Sequence, residues 1–229
     1  GDKLNIKNII ARFNPEIKNR ILLCAHWDTR PFADQDKERP SEPFDGANDG
    51  ASGVGVLLEI ARHLSPTPHM QGEPTHGNST LLRVGVDIIF FDAEDYGNSN
   101  TKDSYCLGTQ YWAKNPPIRN YYPKYGILLD MVGAANATFT MEGYSMQYAP
   151  SVVKKVWDTA AKLGYSDYFR YKKTNPMTDD HFYINTMAHI PCIDILQYDP
   201  STKSTFGSYW HTHDDNMDII DKNTLKAVG

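Results

Sequence analysis

Cysteine is scarce. Cys24, Cys106 and Cys192 are the three in 229 residues, too few and too scattered for a disulfide framework, and the odd count leaves at least one thiol free or paired between chains. Long apolar runs are missing as well. The best stretch, Val84 to Phe91, is short and carries Asp87, so it falls well below the ~20 residues of a membrane-spanning helix. Basic residues are in deficit, 23 Lys and Arg against 28 Asp and Glu, and a formal net charge of −5 gives no electrostatic reason to expect a nucleic-acid partner. No secretory signal is recognisable, and a chain opening on Gly1 leaves open that one was removed. No internal repeat and no linker interrupts the chain. Its 40% hydrophobic and 22% charged residues are ordinary globular proportions, which argues against a disordered or fibrous protein. A chain of this length folded as one domain, residues 1–229, buries roughly 70% of its unfolded surface and needs no covalent staples.

Against that background, short apolar runs alternate with helical periodicity. Ile6 to Phe13 and Arg20 to Ala25 read as two strands separated by the Asn14-Pro15 turn. Asp87 to Phe91, Tyr125 to Leu129 and Pro191 to Leu196 read as three more, and their continuous apolar character suits strands buried on both faces. Val54, Leu57, Leu58, Ala61 and Leu64 share one helical face, ended by Ser65-Pro66. Ser151 to Leu163 repeats the pattern, and Lys222 to Val228 begins a last helix. Residues 65–80 have the composition of an exposed loop. The expected fold is α/β, a largely parallel or mixed central sheet flanked by helices.

In open α/β sheets, ligands bind at the carboxyl ends of the strands. The first buried run is followed by His26-Trp27-Asp28, the next by Asp92-Ala93-Glu94-Asp95, and the one after by Asp130. Asn48-Asp49-Gly50 precedes the first helix, and Trp210-His211-Thr212-His213-Asp214-Asp215 lies near the end. Singly, Asp49 and Asp130 read equally well as caps, Glu94-Asp95 as a solvated loop, and His211 and His213 as surface histidines. Together, imidazole and carboxylate groups from five separate chain positions match the donor preference of Zn²⁺. Glu94 and Asp95 would point to opposite faces of a continuing strand, so both reach one site only if the strand has already ended there. Such an acidic pair beside a buried strand calls for a neutralising cation. His63, His69 and His76 fall on an exposed helix end and the polar loop, and His181 and His189 read as structural.

Five motifs occur in one order: HWD at 26–28, GANDGASG at 46–53, FFDAED at 90–95, LLDMVGA at 128–134 and WHTHDDN at 210–216. In that order the chain resembles the zinc aminopeptidase-like enzymes and, among them, the animal-type glutaminyl-peptide cyclotransferases (glutaminyl cyclases). The DDH at 179–181, followed by PCIDIL and WHTHDDN, carries the second, narrower likeness. The resemblance implies a zinc-dependent enzyme that turns the N-terminal glutamine of a peptide into pyroglutamate and releases ammonia, in a secreted or periplasmic setting. It implies one Zn²⁺ per chain on Asp49, Asp95 and His211, Glu94 as general acid/base, and Asp130 and Asp179 as a hydrogen-bonded acidic pair behind the substrate amine. Trp210 and Phe206 would wall the substrate pocket. It also implies a cis Asp49–Gly50 peptide. The alternative is a two-zinc aminopeptidase, with a second ion bound through His26 and Asp130 and bridged by Asp49. A binding protein without activity fits poorly, because Glu94 and every candidate ligand are present.

Several positions depart from the animal pattern. Asp95 is one methylene shorter than the glutamate usual there. The loop Tyr96 to Asp103 has no tryptophan, so one pocket wall must come from elsewhere. Thr178 stands where a glutamine precedes the DDH, and Cys24 has no disulfide partner between Gly53 and Glu59.

Overall fold

The computed structural model describes residues 4–64, 84–118 and 120–229. The 65–80 segment read as a loop, with His69 and His76, lies outside the described residues. The central sheet has five strands, β1 (Ile9–Phe13), β2 (Arg20–His26), β3 (Gly85–Phe91), β4 (Gly126–Asp130) and β7 (Cys192–Leu196), in the order β1-β3-β2-β4-β7. Only β1 runs antiparallel to its neighbour; β3, β2, β4 and β7 are parallel. A second, two-stranded sheet joins β5 (Phe139–Met141) and β6 (Phe169–Lys173). The expected mixed, largely parallel sheet is therefore present.

Period-2 alternation splits each parallel strand between two cores. Ala25, Ile88, Leu129 and Ile193 pack on one face against α1 (Ala51–Leu64) and α4 (Pro150–Lys162), with Leu57 and Trp157 fully buried. Leu22, Cys24, Ile89, Phe91 and Leu128 pack on the other, against Trp112 of α2 (Leu107–Lys114) and Ile184 of α5 (Asp180–Thr186). Burial on both faces is why these strands read as unbroken apolar runs. Within β3, buried Asp87 is satisfied by Arg20 at 2.7 and 2.8 Å, Arg12 at 3.0 Å and the Tyr121 hydroxyl at 2.9 Å. The strand therefore extends through Asp87 to Gly85, two residues before its expected start.

Other differences lie in short elements. The first strand begins at Ile9, not Ile6. The helices α2, α3 (Gly143–Tyr148) and α5 were not anticipated, nor was the β5–β6 pair; each spans eight residues or fewer. α6 (Lys222–Val228) is capped by Asp221, which accepts from Thr224 N at 3.0 Å. All three cysteines are buried and free. Among the described residues, no helix is long and apolar enough to cross a membrane.

The topology places the site. After β2 the chain turns to β3 on one side and later to β4 and β7 on the other, so the loops leaving adjacent parallel strands diverge above β2. That is the switch point where open α/β sheets form a binding crevice.

Candidate functional site

His26 ends β2, Phe91 ends β3 just before Asp92 to Asp95, and Asp130 ends β4, so all three strands deliver their polar termini to one side. Asp49 lies just ahead of α1 and is followed by a cis Asp49–Gly50 peptide. His211 comes from the turn-rich segment following β7. A cleft of about 590 Å³ is lined by Asp49, Glu94, Asp95, Asp130, Asp179, Phe206, Trp210 and His211. The residues named from the sequence for the one-zinc site are thus brought to one cavity; His26, named for a second ion, is not in its lining.

Within the cleft, Asp49, Asp95 and His211 each offer an atom to a common point, with all three atoms within 4.8 Å of one another. His211 Nε2 lies 3.0 Å from Asp95 Oδ2 and 3.6 Å from Asp49 Oδ2. Two donors each ~2.1 Å from a tetrahedral ion stand about 3.4 Å apart, so these separations fit one Zn²⁺. Asp95 Oδ2 is buried and has no hydrogen-bond partner, an atom that a cation would satisfy. Charge argues the same way. Burial lifts the Asp95 carboxyl to about 6, with His211 opposing and Asp49 adding to the rise. Burial and then Asp49 lift Asp130 to about 7. Desolvation of the Glu94 carboxyl, reinforced by Asp179, pushes it well above the usual carboxylate range. A cation at the common point would favour the ionised form of each of these carboxyls.

The second group is His26, Asp49 and Asp130. His26, fully buried, has Nε2 3.0 Å from Asp49 Oδ1 and 3.1 Å from Asp130 Oδ1. Its Nδ1 lies 3.0 Å from the Asp28 carbonyl, so the ring is held at both ends. Burial opposes charge on this imidazole, yet its bonds to Asp130, Asp28 and Asp49 raise its pKa well above the ordinary value. Asp130 and Asp179 line the same cleft, and each also has a partner of its own. Asp130 faces His26, and Asp179 caps α5 by accepting from the Asp180 backbone N–H. Asp179 Oδ1 takes that place because α5 begins at the next residue, and the side chain still lines the cleft.

Trp210 and Phe206 wall the cleft, with ring centroids 5.0 Å apart, and the Trp210 ring stacks on His211 at 3.8 Å. Tyr105 and Tyr183 also line the cleft. His181 is fully buried at the start of α5, 3.0 Å from Glu142, as a structural histidine should be.

Several contributors were not picked out from the sequence. The Asp28 carboxylate accepts the backbone N–H of Glu94 at 3.0 Å and of Asp95 at 3.1 Å. The Asp215 carboxylate accepts those of Asn48 at 2.7 Å and Asp49 at 3.1 Å. Both aspartates sit inside motifs already noted, HWD and WHTHDDN, which was the available signal. Arg30, Asp34 and Cys106 carried none. Positive φ at Ala93 (54°), Cys106 (54°), Met131 (47°) and His211 (56°) rings the site. Non-glycine residues adopt this region sparingly, and such outliers collect at functional sites.

Comparison with known proteins places the chain in a family. Residues 8–229 match Peptidase family M28. Over its full length the chain is 50% identical to the crystal structure of Porphyromonas gingivalis glutaminyl cyclase, with a TM-score of 0.89, covering 76% of that chain. It is 51% identical, with a TM-score of 0.90 and coverage of 100% and 76%, to a Zn-dependent exopeptidase from Parabacteroides distasonis. A glutaminyl-peptide cyclotransferase of Gloydius blomhoffii is 27% identical over 95% of this chain, which spans 61% of that relative's length. The chain belongs to Peptidase family M28.

Proposed function

We propose that this chain is a zinc-dependent glutaminyl-peptide cyclotransferase, a single catalytic domain acting on peptides with N-terminal glutamine outside the cytoplasm. The observation that carries the reading is the placement of Glu94, a carboxyl of raised pKa, beside the Asp49, Asp95 and His211 cluster and facing Asp179. Similarity to the Porphyromonas gingivalis glutaminyl cyclase supports it.

The substrate's α-amine attacks its own γ-carboxamide carbon. A C–N bond forms to close the five-membered lactam, and the bond to the amide nitrogen breaks. With a reference pKa of about 8, the amine is largely protonated at neutral pH and needs a base. The ammonium form first loses one proton to solvent; Glu94 then takes the proton that the attacking amine sheds as the C–N bond forms and returns it to the departing nitrogen, which leaves as ammonia. Asp130 and Asp179 accept hydrogen bonds from the amine and aim its lone pair. Because the attack is intramolecular, orientation supplies much of the acceleration. Trp210 and Phe206 exclude water that would hydrolyse the amide. Asp49, Asp95 and His211 would hold zinc, whose chemistry when bound is Lewis-acid polarisation of the γ-carbonyl.

We take one ion per chain, with His26 Nε2 shared between Asp49 Oδ1 and Asp130 Oδ1 in place of a second ion. A two-zinc aminopeptidase is the second reading, favoured by the fact that His26, Asp49 and Asp130 also bring three ligand atoms within 4.8 Å. Metal content per chain, measured with activity on two peptides, separates them. One zinc and ammonia from a Gln-initiated peptide supports the cyclase. Two ions and free leucine from a Leu-initiated peptide, without ammonia from the first, supports the aminopeptidase.

A further inference from the structure

Arg30 follows β2 and is 5% exposed. Its Nη1 donates to the Asp95 carbonyl at 2.9 Å and the Gly97 carbonyl at 3.2 Å, and lies 3.4 Å from Asp95 Oδ1. Its Nη2 donates to Asp34 Oδ2 at 2.8 Å. The other oxygen of Asp34 lies 3.0 Å from His211 Nδ1. The guanidinium carbon sits 4.9 Å from the Phe32 ring centroid and 5.9 Å from that of Tyr105. Only its Nε is without a partner. Arg30 does not line the cleft; it faces a separate depression with Pro31, Phe32, Asp34 and Tyr96.

These contacts divide the work of each ligand. Asp95 turns Oδ1 and its carbonyl to Arg30, which leaves the buried Oδ2 facing His211 Nε2 at 3.0 Å. His211 turns Nδ1 to Asp34, which leaves Nε2 for the metal point. A carboxylate behind a ligating imidazole fixes its tautomer and ring plane. Here that carboxylate is itself held by the cation that holds the second ligand. We propose that Arg30 is the positioning residue of the metal centre, orienting Asp95 directly and His211 through Asp34 so that both present one free atom to the same ion. The inference rests on the zinc reading given above. It requires a planar fork: two separate nitrogens serve the two carboxylates, which the point charge of lysine cannot do.

The test compares wild type, Arg30→Gln, Arg30→Lys and His211→Ala. It reads zinc affinity by competition with a chromophoric chelator, the rise in Tm when zinc is added to the metal-free protein, and the visible absorption of the Co²⁺-loaded protein. Removing a partner behind the ligands typically costs 10–100-fold in metal affinity, so Arg30→Gln should weaken zinc by about that factor, shrink the zinc-induced rise in Tm and alter the cobalt spectrum. Arg30→Lys should fall between the two. Arg30→Gln with a lower metal-free Tm but wild-type zinc affinity and cobalt spectrum overturns the proposal, because that is the signature of a loop anchor alone. If Arg30→Gln does not fold, Asp34→Asn interrupts the same path at a partly exposed residue and should weaken zinc about tenfold; unchanged affinity there overturns it as well. Wild type and His211→Ala binding zinc equally would instead remove the metal reading beneath it.

Discussion

Cys106 Sγ donates to Oε1 of Glu94 across 3.1 Å. The same residue holds the Glu94 backbone. The N–H groups of Cys106, Leu107 and Gly108 reach the carbonyls of Glu94, Ala93 and Asp92 at 2.8, 3.0 and 3.0 Å. Side chain and backbone of the proposed base are thus fixed from the N-terminal end of α2. A single neutral hydrogen bond contributes about 0.5–1.5 kcal/mol, so Cys106→Ala should lower kcat roughly three- to tenfold, towards the lower figure because a thiol is a weak donor. Steady-state kinetics check this, with KM moving less than kcat.

Glu94 itself should matter far more. Gln keeps the shape but cannot accept the amine proton, and general acid–base groups contribute ~10²–10⁴-fold. Glu94→Gln should therefore lose most turnover while zinc content stays at the wild-type value. Turnover within a few-fold of wild type would assign the base to another group.

Metal removal should destabilise the fold. A ligand at about 100 times its Kd adds ~2.7 kcal/mol to the native state, and for a chain of this size each kcal/mol moves Tm by roughly 2–4 °C. A chelator should therefore lower Tm by about 5–10 °C in calorimetry, and zinc should restore it. His211→Ala should respond to neither.

Acid stability has a separate source in Glu142. Its carboxylate accepts from Tyr144 N at 2.8 Å, Ser145 N at 2.7 Å and Met177 N at 2.7 Å, and lies 3.0 Å from His181 Nε2. Burial opposes its ionisation, but His181 and these N–H donors prevail and lower its pKa from 4.5 to about 2. A folded-state pKa below the unfolded value stabilises the fold at pH above the unfolded pKa, and that contribution is lost as pH falls through the folded one. Glu142 should supply up to about 3 kcal/mol near neutrality, fading between about pH 5 and 2. Urea midpoints across that window should fall for wild type, and Glu142→Gln should start lower and fall less.

The sequence was most legible where burial imposes a period. β2, β3, β4 and β7 announced themselves because both faces are covered, and α1 and α4 because one face is. α5 was hidden: Asp180-His181 opens a seven-residue helix with buried polar side chains that break any apolar stripe. β6, FRYKK, is exposed beyond Phe169 and offers no alternation to read. At the site, strand-end acids and His211 could be named from chain order. Their supports could not, because the pairing of Asp28 with Glu94, of Asp215 with Asn48 and of Asp34 with His211 spans 66, 167 and 177 residues. Asp130 and Asp179 could be named from the sequence and both reach the cleft, but their contacts with His26 and with the start of α5 could not be read from it.

The origin of the nucleophile separates the proposed chemistry from every hydrolytic one. A Gln-initiated peptide incubated with the zinc-loaded protein in heavy-oxygen water, and followed by mass spectrometry, reports it directly. Attack by the substrate's own amine predicts a product lighter by one ammonia, unchanged in length and carrying no heavy oxygen. A product shortened by its first residue, or a full-length product that has taken up heavy oxygen in place of the amide nitrogen, would mean that water is the nucleophile and would contradict the account.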